Sequence, residues 1–281
     1  MAIPEITLND QTTIPQLGFG VFQVPPAETE RVVTDALEVG YRHLDTAQMY
    51  GNEEGVGAAI AASGIPREEL YVTTKLNNGF HLPDDARRTF AESLERLQLD
   101  RVDLFLIHWP LPGRYDGDFV STWETLVELR DSGRATSVGV SNFQPAHLDR
   151  IIEATGVVPA INQIEAHPYF PNDAARAADA RHGIATEAWS PIARGRVAED
   201  PRIIEIAEAV GRTAAQVTLR WHLQRGDIVF PKSTRPERMR ENFALFDFEL
   251  DESAMATLSS LDEGEPGRTG PNPDQFNWIP S

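Results

Sequence analysis

Short apolar runs alternate with longer amphipathic segments along most of the chain. The runs are mostly uncharged and are followed by turn residues, which is typical of strands buried on both faces. The intervening segments repeat apolar residues every three or four positions, which is typical of helices that bury one face. The predicted strands are 16–22, 42–45, 71–75, 102–108, 136–141, 160–165, 185–190 and 228–233, and the predicted helices include 27–39, 84–97, 120–131, 145–154 and 173–182.

This alternation predicts a parallel sheet with crossover helices. Eight such units within 281 residues favour a closed α/β barrel of the (β/α)8 TIM type over an open sheet, with one domain spanning residues 1–281. Residues 6–14 predict a β-hairpin ahead of the barrel, which would plug its N-terminal end. Two further helical segments, 214–224 and 252–261, exceed the needs of a minimal barrel and are expected outside it.

The last segment, 262–281, is rich in proline and glycine. This composition fits either a disordered tail or an ordered functional loop. Phe276 and Trp278 favour the loop, because bulky aromatic side chains gain from contact with an apolar surface. We expect a C-terminal loop over the barrel mouth.

Composition narrows the class of partner. Acidic residues outnumber basic ones by 43 to 25, a formal net charge of −18, whereas nucleic acids and anionic membranes require clustered Lys and Arg. We therefore expect a small-molecule partner, no nucleic acid and no membrane. The chain has no cysteine and its seven histidines form no close metal-ligand pair, so no metal is expected. A signal-peptide pattern is missing and no apolar run reaches the roughly 20 residues that span a bilayer, which predicts a cytoplasmic protein.

Lysine is scarce in this chain. Only Lys75 and Lys232 are lysines among the 25 basic residues, and each closes a predicted strand. They are either survivors of a drift toward arginine or residues kept for the compact, tunable charge of an ammonium group. The residues near each lysine distinguish between these two explanations.

Four polar residues lie at or just beyond the carboxyl ends of neighbouring predicted strands, where barrel enzymes build their active sites. They are Asp45, Tyr50, Lys75 and His108. Each alone has a structural explanation, such as a turn or a packed side chain. Together they form a proton-transfer unit: Lys75 would lower the pKa of Tyr50 from its ordinary value of about 10, and Asp45 would keep Lys75 charged. A neutral His108 would donate to a substrate oxygen, which suits carbonyl reduction.

A phosphate site is predicted near the end of the chain. The GxGxxG pattern of dinucleotide-binding sheets is not met, since Ile60 takes the third glycine position after Gly55 and Gly57. Residues 231–242 instead carry four basic residues and open into a helix whose N-terminus favours an anion. The alternative is a solvated helix start. On so acidic a chain, the segment favours a bound phosphate group.

These residues and their surroundings resemble the aldo-keto reductase family, and most closely its bacterial subgroup similar to 2,5-diketo-D-gluconate reductase. The resemblance covers the chain from residue 17 to the tail. It implies a (β/α)8 barrel that uses NADPH and is a monomer. The motifs that carry it, in chain order, are Leu17-Gly18-Phe19-Gly20, Gly-Asn-Glu-Glu at 51–54, Gly-Val-Ser-Asn-Phe at 139–143, Ile-Asn-Gln at 161–163 and Pro-Lys-Ser at 231–233.

The resemblance also implies roles for individual residues. Tyr50 would be the general acid, tuned by Lys75 and Asp45, and His108 would orient the carbonyl. Trp189 would stack on the nicotinamide ring. The nicotinamide carboxamide would be held by Ser141, Asn142 and Gln163, the 2′-phosphate by Lys232, Ser233 and Arg238, and the adenine by Glu241 and Asn242, with Gly20, Val21 and Ser190 also in the cofactor site.

The predicted substrate pocket departs from the subgroup. Relatives often carry tryptophan two residues after the lysine, where this chain has Asn77, and Gln48 stands where a small residue is common. Phe22, Trp109 and Trp278 would form apolar walls. We expect small α-dicarbonyls such as methylglyoxal or phenylglyoxal first, reduced for detoxification, then 2,5-diketo-D-gluconate, then generic aldehydes.

Two other classes of function stay open at this stage. A cofactor-sensing regulatory subunit of this fold would bind NADPH without turnover, but the intact group of four polar residues favours catalysis. A barrel isomerase or lyase would need a phosphate loop after the last strands and no central phenol. Tyr50, Lys75 and Trp189 disfavour it.

Overall fold

Eight parallel strands form one sheet in the computed structural model, which describes residues 3–280. Neighbours in the sheet follow chain order, and its two edges meet where Leu17 bridges Val229 in parallel. Two hydrogen bonds join these edges, from Gly18 N to Val229 O at 2.7 Å and from Val229 N to Gln16 O at 3.0 Å. The ring confirms the predicted (β/α)8 barrel.

The bounds of the strands agree with the sequence prediction best in the middle of the chain. The first and last barrel strands are much shorter than expected, at two residues each, although Leu17 still bridges Val229 beside them. A hairpin precedes the ring. The strands are β1 (Glu5–Thr7), β2 (Thr13–Pro15), β3 (Phe19–Gly20), β4 (His43–Asp45), β5 (Tyr71–Leu76), β6 (Val102–Ile107), β7 (Ala135–Ser141), β8 (Ile161–Glu165), β9 (Ala185–Trp189) and β10 (Ile228–Val229).

Helices surround the ring and bury their apolar faces against it, as with Phe90 on a helix and Phe105 on β6, whose rings lie 4.3 Å apart. Several helices begin with a proline in the first turn, where its missing N–H costs nothing. The helices are α1 (Pro26–Val39), α2 (Glu53–Ser63), α3 (Pro83–Leu97), α4 (Val120–Asp131), α5 (Pro145–Thr155), α6 (Asp173–His182), α7 (Pro201–Val210), α8 (Ala214–Gln224), α9 (Pro236–Phe243) and α10 (Glu252–Ser259).

One of the two helices expected outside the barrel was misassigned. Helix α8 packs beside β10, and its Leu219 and Leu223 are buried in the main core, so α8 belongs to the ring of helices. The added helix is α7, which packs on α8 and α10 and begins after an Asp200 cap. Helix α10 is the second addition, as predicted. The sequence did not identify α7 as the added helix, because an amphipathic pattern predicts a buried face but not the element that covers it.

The hairpin closes the N-terminal end of the barrel. Ile14 is fully buried and Leu8 is 2% exposed, and both pack with residues at the bottom of the ring such as Leu104. Polar contacts fix the hairpin as well, since Ser137 Oγ donates to Asp10 Oδ2 at 2.7 Å. The prediction of a plug is confirmed.

The tail crosses the other end of the barrel. Thr269 and Gly270 donate backbone N–H groups to the Glu165 carboxylate at the end of β8, at 2.6 Å and 3.0 Å. Further along, the Phe276 ring lies 4.2 Å from the Trp109 ring. The loop over the barrel mouth is therefore confirmed. No helix within residues 3–280 has the length and apolar character to cross a membrane.

Candidate active site

The side chains of Asp45, Tyr50 and Lys75 meet at the carboxyl ends of β4 and β5. The Nζ of Lys75 donates to both carboxylate oxygens of Asp45, at 2.7 Å and 2.8 Å. It also donates to the Thr46 carbonyl at 2.8 Å and lies 3.5 Å from the Tyr50 hydroxyl. Lys75 is fully buried and Asp45 is 1% exposed, so the ion pair is shielded from water.

The charge on Lys75 is secure in this setting. Burial by itself lowers the pKa of Lys75, but the charge and hydrogen bonds of Asp45, together with the neighbouring Tyr50 and Glu187, raise it above its ordinary value. Lys75 is therefore an ammonium at neutral pH. This agrees with the arrangement proposed from the strand ends.

The effect of Lys75 on Tyr50 is smaller than expected. Burial raises the pKa of Tyr50 to about 12, although the nearby Lys75 charge opposes the rise. The sequence prediction of a lowered pKa is wrong for this structure, because it counted the ammonium and left out the desolvation of the phenolate. Tyr50 thus holds its proton firmly at neutral pH.

His108 stands beside the phenol. Its ring lies 5.7 Å from the Tyr50 ring in an edge-on arrangement, and its side chain is almost completely buried. Burial, with the charge of Lys75 adding to it, places the pKa of His108 well below its ordinary value. His108 is therefore a neutral imidazole, which can donate one hydrogen bond and accept another.

Four more predicted residues form a linked group at the ends of β7, β8 and β9. Ser141 Oγ donates to the main-chain carbonyl of Gln163 at 2.8 Å, and Asn142 Nδ2 donates to Ser141 Oγ at 3.0 Å. The indole N–H of Trp189 donates to Asn142 Oδ1 at 2.8 Å. Asn142 has a φ of 64°, a left-handed conformation that asparagine tolerates better than most residues. The structure brings these four residues together.

Glu187 is a site residue that the sequence reasoning missed. It lies in the middle of β9 with no exposure, and its Oε2 accepts a hydrogen bond from Gln163 Nε2 at 2.7 Å. The same nitrogen donates to Asp45 Oδ2 at 2.8 Å. The available signal was an acidic residue in the middle of the otherwise uncharged strand Ala185–Trp189.

The predicted phosphate segment is exposed at the start of α9. Lys232 and Arg238 are exposed, and among residues 3–280 neither side chain forms a hydrogen bond or an ion pair. Ser233 Oγ accepts from Arg235 N at 3.1 Å, which shapes the turn before the helix. Two cations that are free of internal partners can both face a ligand.

The remaining predicted cofactor residues lie at the ends of strands or on α9. Gly20 lies so close to Phe230 that a Cβ there would stand 2.8 Å from the Phe230 carbonyl oxygen, which excludes larger residues. Val21 is buried, and Ser190 follows β9 with a φ of 51°. Glu241 accepts from Thr213 Oγ1 at 2.8 Å, and Asn242 is buried.

The predicted substrate residues divide into two groups. Phe22 is 54% exposed with its ring 5.0 Å from the Tyr50 ring, and Trp109 lies between Trp189 and Phe276. Trp278, 55% exposed, is placed by its carbonyl, which accepts from Asn78 Nδ2 at 2.9 Å. Phe22 therefore contacts Tyr50, and Trp109 directly follows His108 in the chain, so these two aromatic side chains border the catalytic group.

Gln48 and Asn77 form the second group, whose hydrogen bonds go to nearby polar groups. The Gln48 amide donates to Ser93 Oγ on α3 at 3.0 Å and accepts from Asn77 N at 2.8 Å. Asn77 Oδ1 accepts from Gly79 N at 2.9 Å and so caps a short turn. Both polar side chains are thus committed to local structure, and their part in a substrate pocket stays a prediction.

Comparison with known proteins places the chain in a family. The model of the aldo/keto reductase family matches residues 16–263. An aldo-keto reductase from Mycobacterium sp. (strain KMS) is 50% identical over 279 residues, which cover 99% of this chain and 100% of that protein. Methylglyoxal reductase DkgA from Yersinia pestis is 48% identical over 276 residues, 97% of each chain. A crystal structure of a Gox0644 mutant in complex with NADPH matches with a TM-score of 0.94 and 46% identity, over 99% of this chain and 100% of that one.

The chain therefore belongs to the aldo/keto reductase family, as its motifs predicted. The identity extends over nearly the full length of both chains, and the match in fold covers the whole barrel. The narrower similarity to 2,5-diketo-D-gluconate reductases stays a prediction.

Proposed function

We propose that this protein reduces small carbonyl compounds to alcohols with NADPH, and that Tyr50 is the general acid. The observation that carries the proposal is the buried ion pair of Lys75 and Asp45 with the Tyr50 hydroxyl 3.5 Å from Nζ. A proton donor, a fixed positive charge and a neutral imidazole are thereby held on one side of the barrel mouth. This set suits protonation of a carbonyl oxygen.

The proton chemistry follows from the charges of these groups. Tyr50 carries its proton at neutral pH, because its pKa is about 12. As negative charge develops on the substrate oxygen, Tyr50 donates this proton, and the Lys75 ammonium stabilises the phenolate that remains. His108 donates a hydrogen bond to the same oxygen and orients the carbonyl. Asp45 positions Lys75 and keeps it charged.

The residues at the mouth fit the cofactor implied by the family. Ser141, Asn142 and Gln163 present hydroxyl and amide groups suited to a carboxamide, and Trp189 offers an aromatic face that the hydrogen bond to Asn142 fixes. When bound there, reduced nicotinamide supplies a hydride to the carbonyl carbon. The solved relative that holds NADPH supports this choice.

The preference for NADPH over NADH is assigned to the start of α9. Lys232 and Arg238 are exposed, and their charges are unpaired within residues 3–280 of an otherwise acidic protein. A 2′-phosphate would receive charge-assisted hydrogen bonds from both, with Ser233 beside them and Glu241 and Asn242 toward the adenine. NADH has no group that could use these cations.

The substrate that we propose first is a small α-dicarbonyl such as methylglyoxal or phenylglyoxal. The similarity to methylglyoxal reductase DkgA of Yersinia pestis supports it. The mouth is bordered by Phe22, Trp109 and Phe276, which suits a compact apolar substituent next to the reacting carbonyl. 2,5-Diketo-D-gluconate is the second candidate and generic aldehydes are the third, and removal of reactive dicarbonyls would be a detoxifying role.

The test is the loss of NADPH absorbance with a panel of α-dicarbonyls, aldehydes and keto sugars. Turnover that is fastest with methylglyoxal or phenylglyoxal supports the proposal. Tight NADPH binding without turnover of any of them would instead indicate a cofactor sensor, and absence of NADPH binding would remove the reductase assignment altogether.

A further inference from the structure

Gln163 is held by two buried carboxyl groups at once. Its Nε2 lies 2.8 Å from Asp45 Oδ2 and 2.7 Å from Glu187 Oε2, so each amide hydrogen has its own acceptor. Rotating the amide by 180° would place Oε1 against the two carboxyl groups, at least one of which is ionised. That arrangement is strongly disfavoured, because Oε1 would then face the ionised Asp45 carboxylate, acceptor against acceptor, whatever the protonation of Glu187. The Gln163 amide therefore has one stable orientation, with Oε1 turned away from this pair.

We propose that Glu187 is a positioning residue for the cofactor: with Asp45 it fixes the Gln163 amide so that Oε1 accepts a hydrogen bond from the carboxamide NH2 of nicotinamide. The inference rests on the proposed function, since it assumes that the nicotinamide lies beside Gln163. Asp45 alone would restrain one amide hydrogen. Glu187 restrains the other, which leaves the oxygen of Gln163 as the group available to a ligand.

The charges around Glu187 support this role. The charge of Asp45 is balanced by Lys75, but Glu187 faces His43, with His43 Nε2 3.5 Å from Glu187 Oε1. Burial lowers the pKa of His43 to about 3, so His43 is uncharged. Tyr71, whose ring lies 5.1 Å from the His43 ring, carries no positive charge that could balance Glu187. Burial, with the Asp45 charge adding to it, raises the pKa of Glu187 to about 8. At neutral pH Glu187 is thus an uncharged acid whose Oε2 accepts from Gln163.

The neutral state of Glu187 makes a matched pair of variants available. Glu187→Gln retains an oxygen that can accept from Gln163 and carries no charge. Glu187→Met has similar volume and no acceptor. The inference predicts that the first variant behaves like the wild type and that the second loses the preference of the site for a carboxamide.

Three probes separate the nicotinamide end of the site from the rest. They are NADP+, its 3-acetylpyridine analogue, in which a methyl group replaces the carboxamide NH2, and adenosine 2′,5′-bisphosphate, which has no nicotinamide. Binding is followed by quenching of tryptophan fluorescence. The wild type should bind NADP+ about tenfold more tightly than the analogue, as expected for one hydrogen bond. Glu187→Met should reduce this ratio to less than about threefold, with the bisphosphate affinity unchanged, and Glu187→Gln should restore it.

Several outcomes would overturn the inference. If the Glu187→Met variant keeps the tenfold ratio, or binds all three probes more weakly by the same factor, then Glu187 is structural only. If Glu187→Met does not fold, NMR of the wild-type Gln163 side-chain NH2 replaces it: both hydrogens should be protected from exchange and remain so when NADP+ binds, and rapid exchange would contradict the inference. Failure of the wild type to bind NADP+ and the bisphosphate would instead refute the proposed function.

Discussion

The ammonium nitrogen of Lys75 lies 3.5 Å from the hydroxyl oxygen of Tyr50, at the outer limit of a hydrogen bond, and 5.1 Å from the centre of its ring. Lys75 is bound much more closely by Asp45. At this distance Lys75 can stabilise a phenolate, while burial keeps the pKa of Tyr50 at about 12, so the hydroxyl retains its proton.

Removing the hydroxyl of Tyr50 should abolish most turnover while leaving the cofactor site intact. Tyr50→Phe is expected to lower kcat by about 10² to 10⁴, the usual contribution of general acid catalysis. Its Kd for NADPH should stay within about twofold of the wild type. Tyr169→Phe is the matched control, because that hydroxyl bonds Asp200 and lies outside the catalytic group. Near-normal turnover of Tyr50→Phe would remove it from the acid role.

Breaking the buried ion pair should destabilise the fold. Lys75→Met leaves the Asp45 carboxylate buried without its cation and should lower the free energy of unfolding by about 3 to 5 kcal/mol. The double variant Asp45→Asn with Lys75→Met should recover much of this loss, since the uncompensated charge is gone. Urea unfolding measures both. A single variant as stable as the wild type would indicate that Asp45 is not ionised in the folded state.

The cations before and in α9 should discriminate between the two dinucleotides. Lys232→Ala or Arg238→Ala is expected to weaken NADPH by about 10-fold to 100-fold, the value of a charge-assisted hydrogen bond, and NADH by less than about twofold. Arg240→Ala removes the same charge from the same helix and serves as the control. Equal weakening of NADPH and NADH would contradict the assignment of the phosphate site.

Glu187 should make stability depend on pH. Its ordinary pKa of 4.5 is raised to about 8 in the folded chain, so its contribution to stability is complete below pH 4.5 and is lost as the pH rises toward 8. The wild type therefore loses stability over this range, whereas Glu187→Gln does not lose this contribution. The difference in free energy of unfolding, Glu187→Gln minus wild type, should increase from pH 5 to pH 8 by a few kcal/mol, about 1.4 kcal/mol for each pH unit. A flat difference for Glu187→Gln over this pH range would mean that Glu187 is ionised throughout.

The tail should affect bulky substrates more than small ones. Phe276 packs on Trp109, so Phe276→Ala removes part of the apolar wall. We expect kcat/KM to fall about tenfold for phenylglyoxal, because its ring loses an aromatic contact and the apolar area buried with it. For methylglyoxal, which has no ring, the fall should be at most about threefold. Equal losses for both substrates would place the tail outside the pocket.

Complete removal of the tail should have a wider effect than the point substitution. Truncation after Leu261 also takes away the donors that Thr269 and Gly270 give to Glu165, and Gly270 packs directly against Trp189. The loss of Phe276 and Trp278 should change the substrate range. The contact with Trp189 leads us to expect weaker NADPH binding as well.

The barrel and the four polar residues at its mouth could be predicted from the sequence because both depend on local patterns. Strands of a parallel barrel are short and apolar, and the residue that follows each strand faces the mouth. Asp45, Lys75 and His108 could thus be placed near one another before any coordinates were known. The motifs then supplied the family.

What could not be predicted depends on distances across the barrel. The desolvation that raises the pKa of Tyr50 comes from the whole surrounding shell, and no neighbour in sequence reports it. Glu187 is 24 residues from Gln163 and much further from Asp45, so their meeting follows only from the register of the closed sheet. The misassigned helix α8 has the same origin, since an amphipathic pattern does not identify what covers it.

The hairpin and the tail occupy opposite ends of the barrel, which matters for anyone who attaches something to this enzyme. The hairpin lies on the face remote from Tyr50, whereas the Trp278 carbonyl is bound by Asn78 beside the catalytic rim. A purification tag or a fused domain placed behind the tail would emerge next to the entrance that substrates must use. An N-terminal attachment would leave that entrance clear, so assays and immobilised preparations should carry their tags there.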